Sequence, residues 1–369
     1  MSLAPGRYFH SGMSGAPQLT PATASGLAII RACLVDGFGS ITPDAMVVSS
    51  GVATLTKSTG HNLGLINDFG SVITVSGVTT PPELSGNWRV FSSPTSTTLT
   101  FLCPGVPDGT ATGTPSVKRA SAGWTLVAED ANKLLLRRPN AGCSPYDLRI
   151  ADTVADWWNW QTVYGATGLA DGTVEISTSP SKIYQNTPAS VAWYLVATDI
   201  GVIFGWKMYT NIGRDAYLTK IWTDYASFLL SNPYNLVHGS EYQTILRMNY
   251  AAQASLTLPR QLNGATPSLS AQLLGHQTGY PGSSTLTQML EPGTYVTWPF
   301  LLGRSSDAFP VGRVPGLYGP FIHRYYCPLD GTIVPFAGGK YMLVRDAYVE
   351  DSSWQYKGKV FIDIMGPWL

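Results

Sequence analysis

The sequence predicts a mainly β protein, with a small antiparallel β-sandwich module and a larger β-rich domain that carries one N-terminal helix. Three observations predict it. Between Met46 and Gly105 apolar residues alternate in short runs, the period-two pattern of half-buried strands. Gly (38) and Pro (26) punctuate those runs, as short strands joined by turns require. Charged residues make up only 12% of the 369 residues, about half the usual share of roughly 25%. Low charge with 19 Tyr and 11 Trp suits surfaces covered by neighbours. An ordinary β protein with a Ser/Thr-rich surface has the same composition.

In chain order, Met1 to Leu19 reads as an extended arm rich in Gly, Pro and Ser. Tyr8 and Phe9, with His10 beside them, are candidate anchors on a neighbouring subunit. A helix is expected over 21–36. Thr20 is placed as its N-cap, Pro21 at the first helical position, and Gly37 as its stop. Leu27, Ile30 and Leu34 form the apolar stripe, and Arg31 falls off it towards solvent.

Four strand groups follow: Val48, Val52 and Leu55; Val72, Ile73 and Val75; Trp88, Val90 and Phe91; Leu99, Phe101 and Leu102. Turns are expected at 58–60, 76–77, 84–87 and 92–94. From Gly123 onward the chain again reads mostly as strands. A hairpin joins 191–198 to 200–209 through Thr198-Asp199-Ile200-Gly201. Tyr217, Ile221, Tyr225 and Leu229 lie near helical spacing, which predicts a short helix over 216–230. Gln261 to Pro320 reads as loop. Val360 to Ile364 is apolar on both faces except at Asp363, the pattern of a centrally buried strand.

Several function classes find no support. Lys plus Arg and Asp plus Glu number 23 each, so no basic patch argues for nucleic acid. No run of about 18 apolar residues predicts membrane insertion, and no signal peptide is visible. Cys33, Cys103, Cys143 and Cys327 form no CxxC pair and read as small buried hydrophobes. The five histidines are isolated, and no GxSxG, Walker loop or strand–GxGxxG–helix occurs. No catalytic, cofactor-binding or metal residue is therefore assigned, and the chain is not expected to be an enzyme. Asp156, Glu175, Asp199, Asp215 and Asp224 are available for glycoside hydrolysis, but no spacing singles out a pair. Trp157, Trp158 and Trp160 form the one dense aromatic cluster. They are candidates for stacking on a sugar, with Asp156 or Asn159 bonding its hydroxyls, or for a core or interface.

The stretch STGHNLGLINDFGSVITVSGVTTPPELSGNWRVFSSPTSTTLTF, residues 58–101, carries a resemblance. Its His61, Leu63, Val75, Ser76, Gly77, Leu84, Gly86, Trp88, Val90, Thr100 and Phe101 match a small Ig-like β module that recurs in tailed-bacteriophage virion proteins. The flanks YFHSGMSGAPQLT, IRACLVDGFGS, AGW and FIDIMGPW resemble one set of phage structural proteins. In that set GFGS can run almost directly into AGW, which implies that the module is an insertion between Gly39 and Ala122.

The resemblance implies three parts. Residues 1–40 are an arm and helix, 41–117 the inserted module, and 118–369 a main domain on which the helix packs. It also implies a virion location, after assembly in the host cytoplasm. Partners would be other phage structural proteins and copies of itself, with a host-surface glycan as a further candidate. A tail, baseplate or neck component is the favoured role. Capsid decoration, a carbohydrate-binding receptor-recognition subunit and a glycan-degrading tail enzyme are the alternatives.

Overall fold

The helix turns out shorter than its apolar stripe. A computed structural model describes residues 6–63, 71–153, 158–178, 190–209, 215–224, 226–227, 236–239, 256–258, 269–274, 297–304, 310–320, 330–336, 339–348 and 357–368. In it the α-helix covers Ser25–Arg31 and continues as a π-helical turn over Ala32–Asp36. Thr20 does not cap it; its hydroxyl accepts from the Ala22 amide instead. The cap comes from far along the chain. Asp152 accepts the Gly26 amide through Oδ2 at 3.1 Å, and its carbonyl accepts the Ala24 amide at 3.3 Å. A buried carboxylate at the positive end of the helix thus serves the orphan N–H groups. Gly37, at φ 73, ends the helix. Arg31 pairs with Asp36 at 2.7 Å and with Glu129.

Leu27, Ile29, Ile30, Cys33 and Leu34 are buried together with Trp124, Leu136, Tyr146, Trp158 and Phe204. The Ala122 and Trp124 amides donate to the carbonyls of Cys33 and Leu34, both at 2.8 Å. The helix therefore packs on elements that follow residue 122.

Residues 38–119 form an eight-stranded antiparallel sheet wrapped around its own core, which includes Met46, Val48, Leu55, Ile73, Val75, Leu99, Phe101 and Val117. Gly109–Thr110 pairs with Ala45–Ser49, and Thr112–Arg119, which follows directly, pairs with Val72–Thr80. That near-continuous run carries the sheet round. One turn is new, and two expected turns fall inside strands. Ala45–Ser49 and Val52–Thr56 are a hairpin closed by Ser50-Gly51, both at positive φ (52 and 74), so no single strand runs from Val48 to Leu55. A two-residue loop with both residues left-handed matches strand twist. Gly77 is a bulge inside Val72–Thr80, and Ser92-Ser93-Pro94 lies inside Gly86–Thr95. The entering strand Phe38–Ile41 pairs with the leaving strand Thr112–Arg119, with Phe38 opposite Arg119 and Ile41 opposite Val117.

Two further sheets follow. Thr125–Asp130, Lys133–Arg137, Tyr146–Ala151, Asn159–Tyr164 and Thr173–Thr178 form a five-stranded meander. The long sheet begins with Arg7–His10, Trp193–Ala197, Gly201–Tyr209 and Asp215–Asp224, and ends with Pro310–Pro320, Lys357–Asp363, Lys340–Tyr348 and Ile333–Phe336. It curls. Ala226–Ser227 pairs with Gly312 and Arg313, and the Arg345 guanidinium lies 4.2 Å from the Tyr194 ring centroid. The expected hairpin is present, with Ala197 opposite Val202 and the Thr198 amide bonded to the Gly201 carbonyl at 2.9 Å.

Two expectations fail here. Asp215–Asp224 is a strand and not part of a helix; Ile221 and Trp222 are adjacent and both buried, because the sheet is covered on both faces. Tyr225 and Leu229 lie outside the described residues. The supposed loop 261–320 contains Leu269–Leu274, Thr297–Arg304 and Pro310–Pro320. Pro299 and Gly303 stand at register shifts in its Thr297–Arg304 strand, where a strand tolerates such residues.

The closing strand is central. It lies between Pro310–Pro320 and Lys340–Tyr348, with Val360, Phe361 and Ile362 fully buried. Trp368 folds back over Gly316, at φ 72, where a Cβ would overlap the indole. Two outcomes are expected. A chain ending before Val360 yields no soluble, folded protein by circular dichroism. Gly26→Ala puts a Cβ into the Trp158 ring and lowers stability in urea by about 1–3 kcal/mol, the usual cost of overpacking, although Ala is the better helix former.

Candidate interaction surface

One face of the module carries three of the four large exposed hydrophobics among the described residues: Val47 (42% exposed), Phe91 (66%) and Leu102 (50%). Register places them together. Val47 lies opposite Thr54, Thr54 opposite Thr100, and Val52 opposite Leu102. Phe91 stands at the irregularity between Val90 and Ser92 in the next strand. The outward positions Ala45, Val47, Ser49, Val52, Thr54, Thr56, Thr98, Thr100 and Leu102 of three of its strands include no charge; Arg89, two residues before Phe91 in the next strand, points to the same side and bonds Met365. Charges sit at the rim. Lys57 bonds Asp44 at 2.9 Å at one end, and Asp108 accepts the Ser50 amide at 2.8 Å at the other. Hydrogen bonds from Ser58 and Lys57 hold the Asp44 carboxyl well below the usual carboxylate range. An uncharged centre inside a polar rim is the anatomy of a protein contact surface.

The sequence pattern groups Phe91 and Leu102 with strand residues without giving their side. The signal for Leu102 was present: Phe101 and Leu102 are adjacent, so a strand must turn one of them outward.

The module's base is fixed. Arg119, 1% exposed, lies over the Phe38 ring at 5.8 Å and donates to the Asn62 carbonyl at 3.0 Å. Arg89 donates to the Met365 sulfur at 3.1 Å, tying the module to the C-terminal segment. Arg7, whose Nε donates to the Ser121 carbonyl, lies near Arg89; burial and that neighbour lower its pKa to about 10. His61 clamps the module internally. Its Nδ1 accepts the Leu63 amide and its Nε2 faces the Thr95 carbonyl, both at 3.1 Å, which fits the tautomer protonated on Nε2.

The residues singled out from sequence lie elsewhere. Trp158 and Trp160 are 1% and 0% exposed. They pack edge to face at 5.4 Å, and Trp158 meets Phe204 at 5.4 Å and Trp206 at 5.5 Å. Neither indole can stack on a glycan or face another subunit; the cluster is core. Trp157 and Asp156 lie outside the described residues. Phe9 is not free to dock on a neighbour, and Tyr8 beside it is half-buried. Arg7–His10 pairs with this chain's own Trp193–Ala197, and Phe9, 2% exposed, packs against Phe38 at 5.7 Å. An alternating Arg-Tyr-Phe-His segment gains more by extending a sheet and burying Phe9 than by remaining an arm.

Two of the available acids, Asp224 and Asp199, bond the scaffold. Asp224 accepts from Arg138 at 2.5 Å and from the Ser144 amide and hydroxyl at 2.8 and 2.6 Å. Arg138 also donates to the Ile200 carbonyl at 3.1 Å and lies over the Trp222 ring at 4.6 Å. This joins the segment after the meander's second strand to the hairpin of the long sheet. Asp199 accepts from Asn140 at 3.1 Å. Glu175 lies half-buried on the meander's edge strand, and the Asp215 side chain is not described. Cys33 and Cys103 are buried, Cys143 is half-buried, and Cys327 lies outside the described residues. Burial pushes the Cys143 thiol up to about 12.

No family model and no curated protein matches the chain. Among solved structures it is similar to the phage phi92 endosialidase, with 10% identity and a TM-score of 0.18, over 88% of this chain and 52% of that one. The chain thus spans about half the length of that structure. At this TM-score the likeness carries no argument about activity.

Two outcomes follow from the buried contacts. Arg138→Ala leaves Asp224 buried without its partner and costs about 3–5 kcal/mol in urea unfolding, the range for a broken buried pair. Iodoacetamide at pH 8 leaves the Cys143 peptide unmodified in the folded chain and alkylates it once the chain is unfolded, as peptide mass mapping reads.

Proposed function

We propose that the chain is a structural protein of a tailed-bacteriophage virion, in a tail, baseplate or neck assembly, and that it works by packing against other subunits without turnover. The observation that carries this reading is the module. Residues 58–101 resemble a module of phage virion proteins, and the module turns Val47, Phe91 and Leu102 outward. Its base is locked by Arg119 and Arg89, so the face is held at a set orientation. A protein that acts by contact needs such rigid presentation, because loose attachment adds an ordering cost to every contact. Other phage structural proteins and copies of this chain are the partners that this chemistry suits. Glycan recognition through the tryptophan cluster is left out, since Trp158 and Trp160 are core.

Purified particles labelled with an antibody against this chain test the reading. Label at the tail end is the expected result. Label spread over the head would replace it with capsid decoration, and particles without label would overturn the virion assignment.

A further inference from the structure

We infer that the module is a hinged unit, and that the turn 13–16 of the N-terminal segment is a wedge that sets its angle on the main domain.

The chain crosses between the two bodies twice, and each crossing is short. On entry, the Gly37 amide still bonds the Ala32 carbonyl of the helical segment at 2.8 Å, and Phe38 already pairs with Arg119. On exit, the Ala120 amide bonds Val72 of the module and the Ala122 amide bonds Cys33, both at 2.8 Å, so only Ser121 lies between. The entering side is kinked. Gly37 and Gly39 stand at φ 73 and 69, and Gly39 falls at the register shift between Phe38 and Ile41. A few residues of this kind absorb the swing of a whole body. Two side chains cross beside them, Arg89 to Met365 and Lys118 to the Asp36 carbonyl. Both can follow a small rotation by changing rotamer.

The wedge cannot follow in that way. Its ends are bonded to one residue of the long sheet. The Ser11 amide donates to the Trp193 carbonyl, and the Trp193 indole donates to the Pro17 carbonyl, both at 3.0 Å. Between them Met13 is buried, and the Ala16 amide bonds the Met13 carbonyl at 3.0 Å. Gly15, at φ 76, takes the third place of that turn, where a type II turn needs positive φ. The tip lies in the kink. A Cβ on Gly15 would stand 2.8 Å from the Gly39 Cα. A Cβ on Gly39 would stand 2.8 Å from the Ser14 carbonyl oxygen and 3.3 Å from the Arg119 guanidinium. Two bare backbones thus meet on the inside of the bend, and the turn stops the module from swinging towards it.

Small-angle X-ray scattering and hydrogen exchange of the full chain test this with Gly15→Ala and Gly39→Ala, each of which thickens the wedge from one side. Gly165→Ala is the control: it also stands at positive φ, 68, but a Cβ there meets nothing within 4 Å. Both wedge variants should change the scattering profile. Their amides in 37–41 and 120–122 should exchange about tenfold faster, while those in 46–55 and 146–151 keep the wild-type rate. The control should match the wild type. Unchanged scattering and exchange in either wedge variant would overturn the inference, because the turn would then set no angle. Equal changes in all three variants would overturn it too, since backbone strain and not the contact would be the cause. Loss of folding by circular dichroism in Gly15→Ala would also contradict it, because Gly15 is exposed and a wedge is not needed by either core.

Discussion

The Trp158 ring is the point on which the other elements close. It touches Trp160 of the meander, Phe204 and Trp206 of the long sheet, and the bare backbone of Gly26 in the helix. Only a glycine lets the helix approach an indole so closely. Around this contact the Trp222 indole donates to Thr162 at 3.0 Å and the Trp124 indole to the Thr198 carbonyl at 2.9 Å. Large aromatic rings bury much surface at little conformational cost, and here they fill the gap between two sheets and a short helix. Asp152 then fixes the helix start and Arg138 fixes the meander to the hairpin. Both are buried polar groups whose bonds are satisfied only if those elements sit where they do.

The module stands apart from that core. Its own buried cluster shares no residue with the aromatic one, and it is joined through a single ladder with Arg119 and Arg89 as side supports. A unit with its own core can be placed in a host chain wherever two strand ends lie close. That arrangement leaves its outer face unconstrained by folding. The outward Thr and Val residues and the projecting Phe91 are therefore not required by the module's own core.

Most strands were legible, because alternation and Gly/Pro punctuation are local signals. The hairpin at 198–201 and the central closing strand followed from pattern alone. What was hidden depends on distant residues. No local feature announces that Asp152 caps the helix, 126 positions from the amide it accepts. Ser50-Gly51 is hidden in the sequence because Val48, Val52 and Leu55 look like one run when the turn is only two residues. The strand Asp215–Asp224 has helix-like spacing in the sequence because a sheet covered on both faces loses its alternation. The tryptophan cluster was visible, but its side was not, since burial is decided by what packs on top. For the contact face, alternation already separated Leu102 from Phe101, whereas Phe91 depends on an irregularity that only the pairing reveals.

Hydrogen–deuterium exchange of the full chain, read peptide by peptide, addresses the aromatic closure most directly. If the rings around Trp158 hold the sheets and helix together, amides in 26–34, 146–151, 159–164 and 193–206 open as one unit and exchange slowest in the main domain. The module would then open as a separate unit. Rapid exchange in the helix while both sheets stay protected would contradict the account, because it would mean that the helix and Trp158 are not part of one closure.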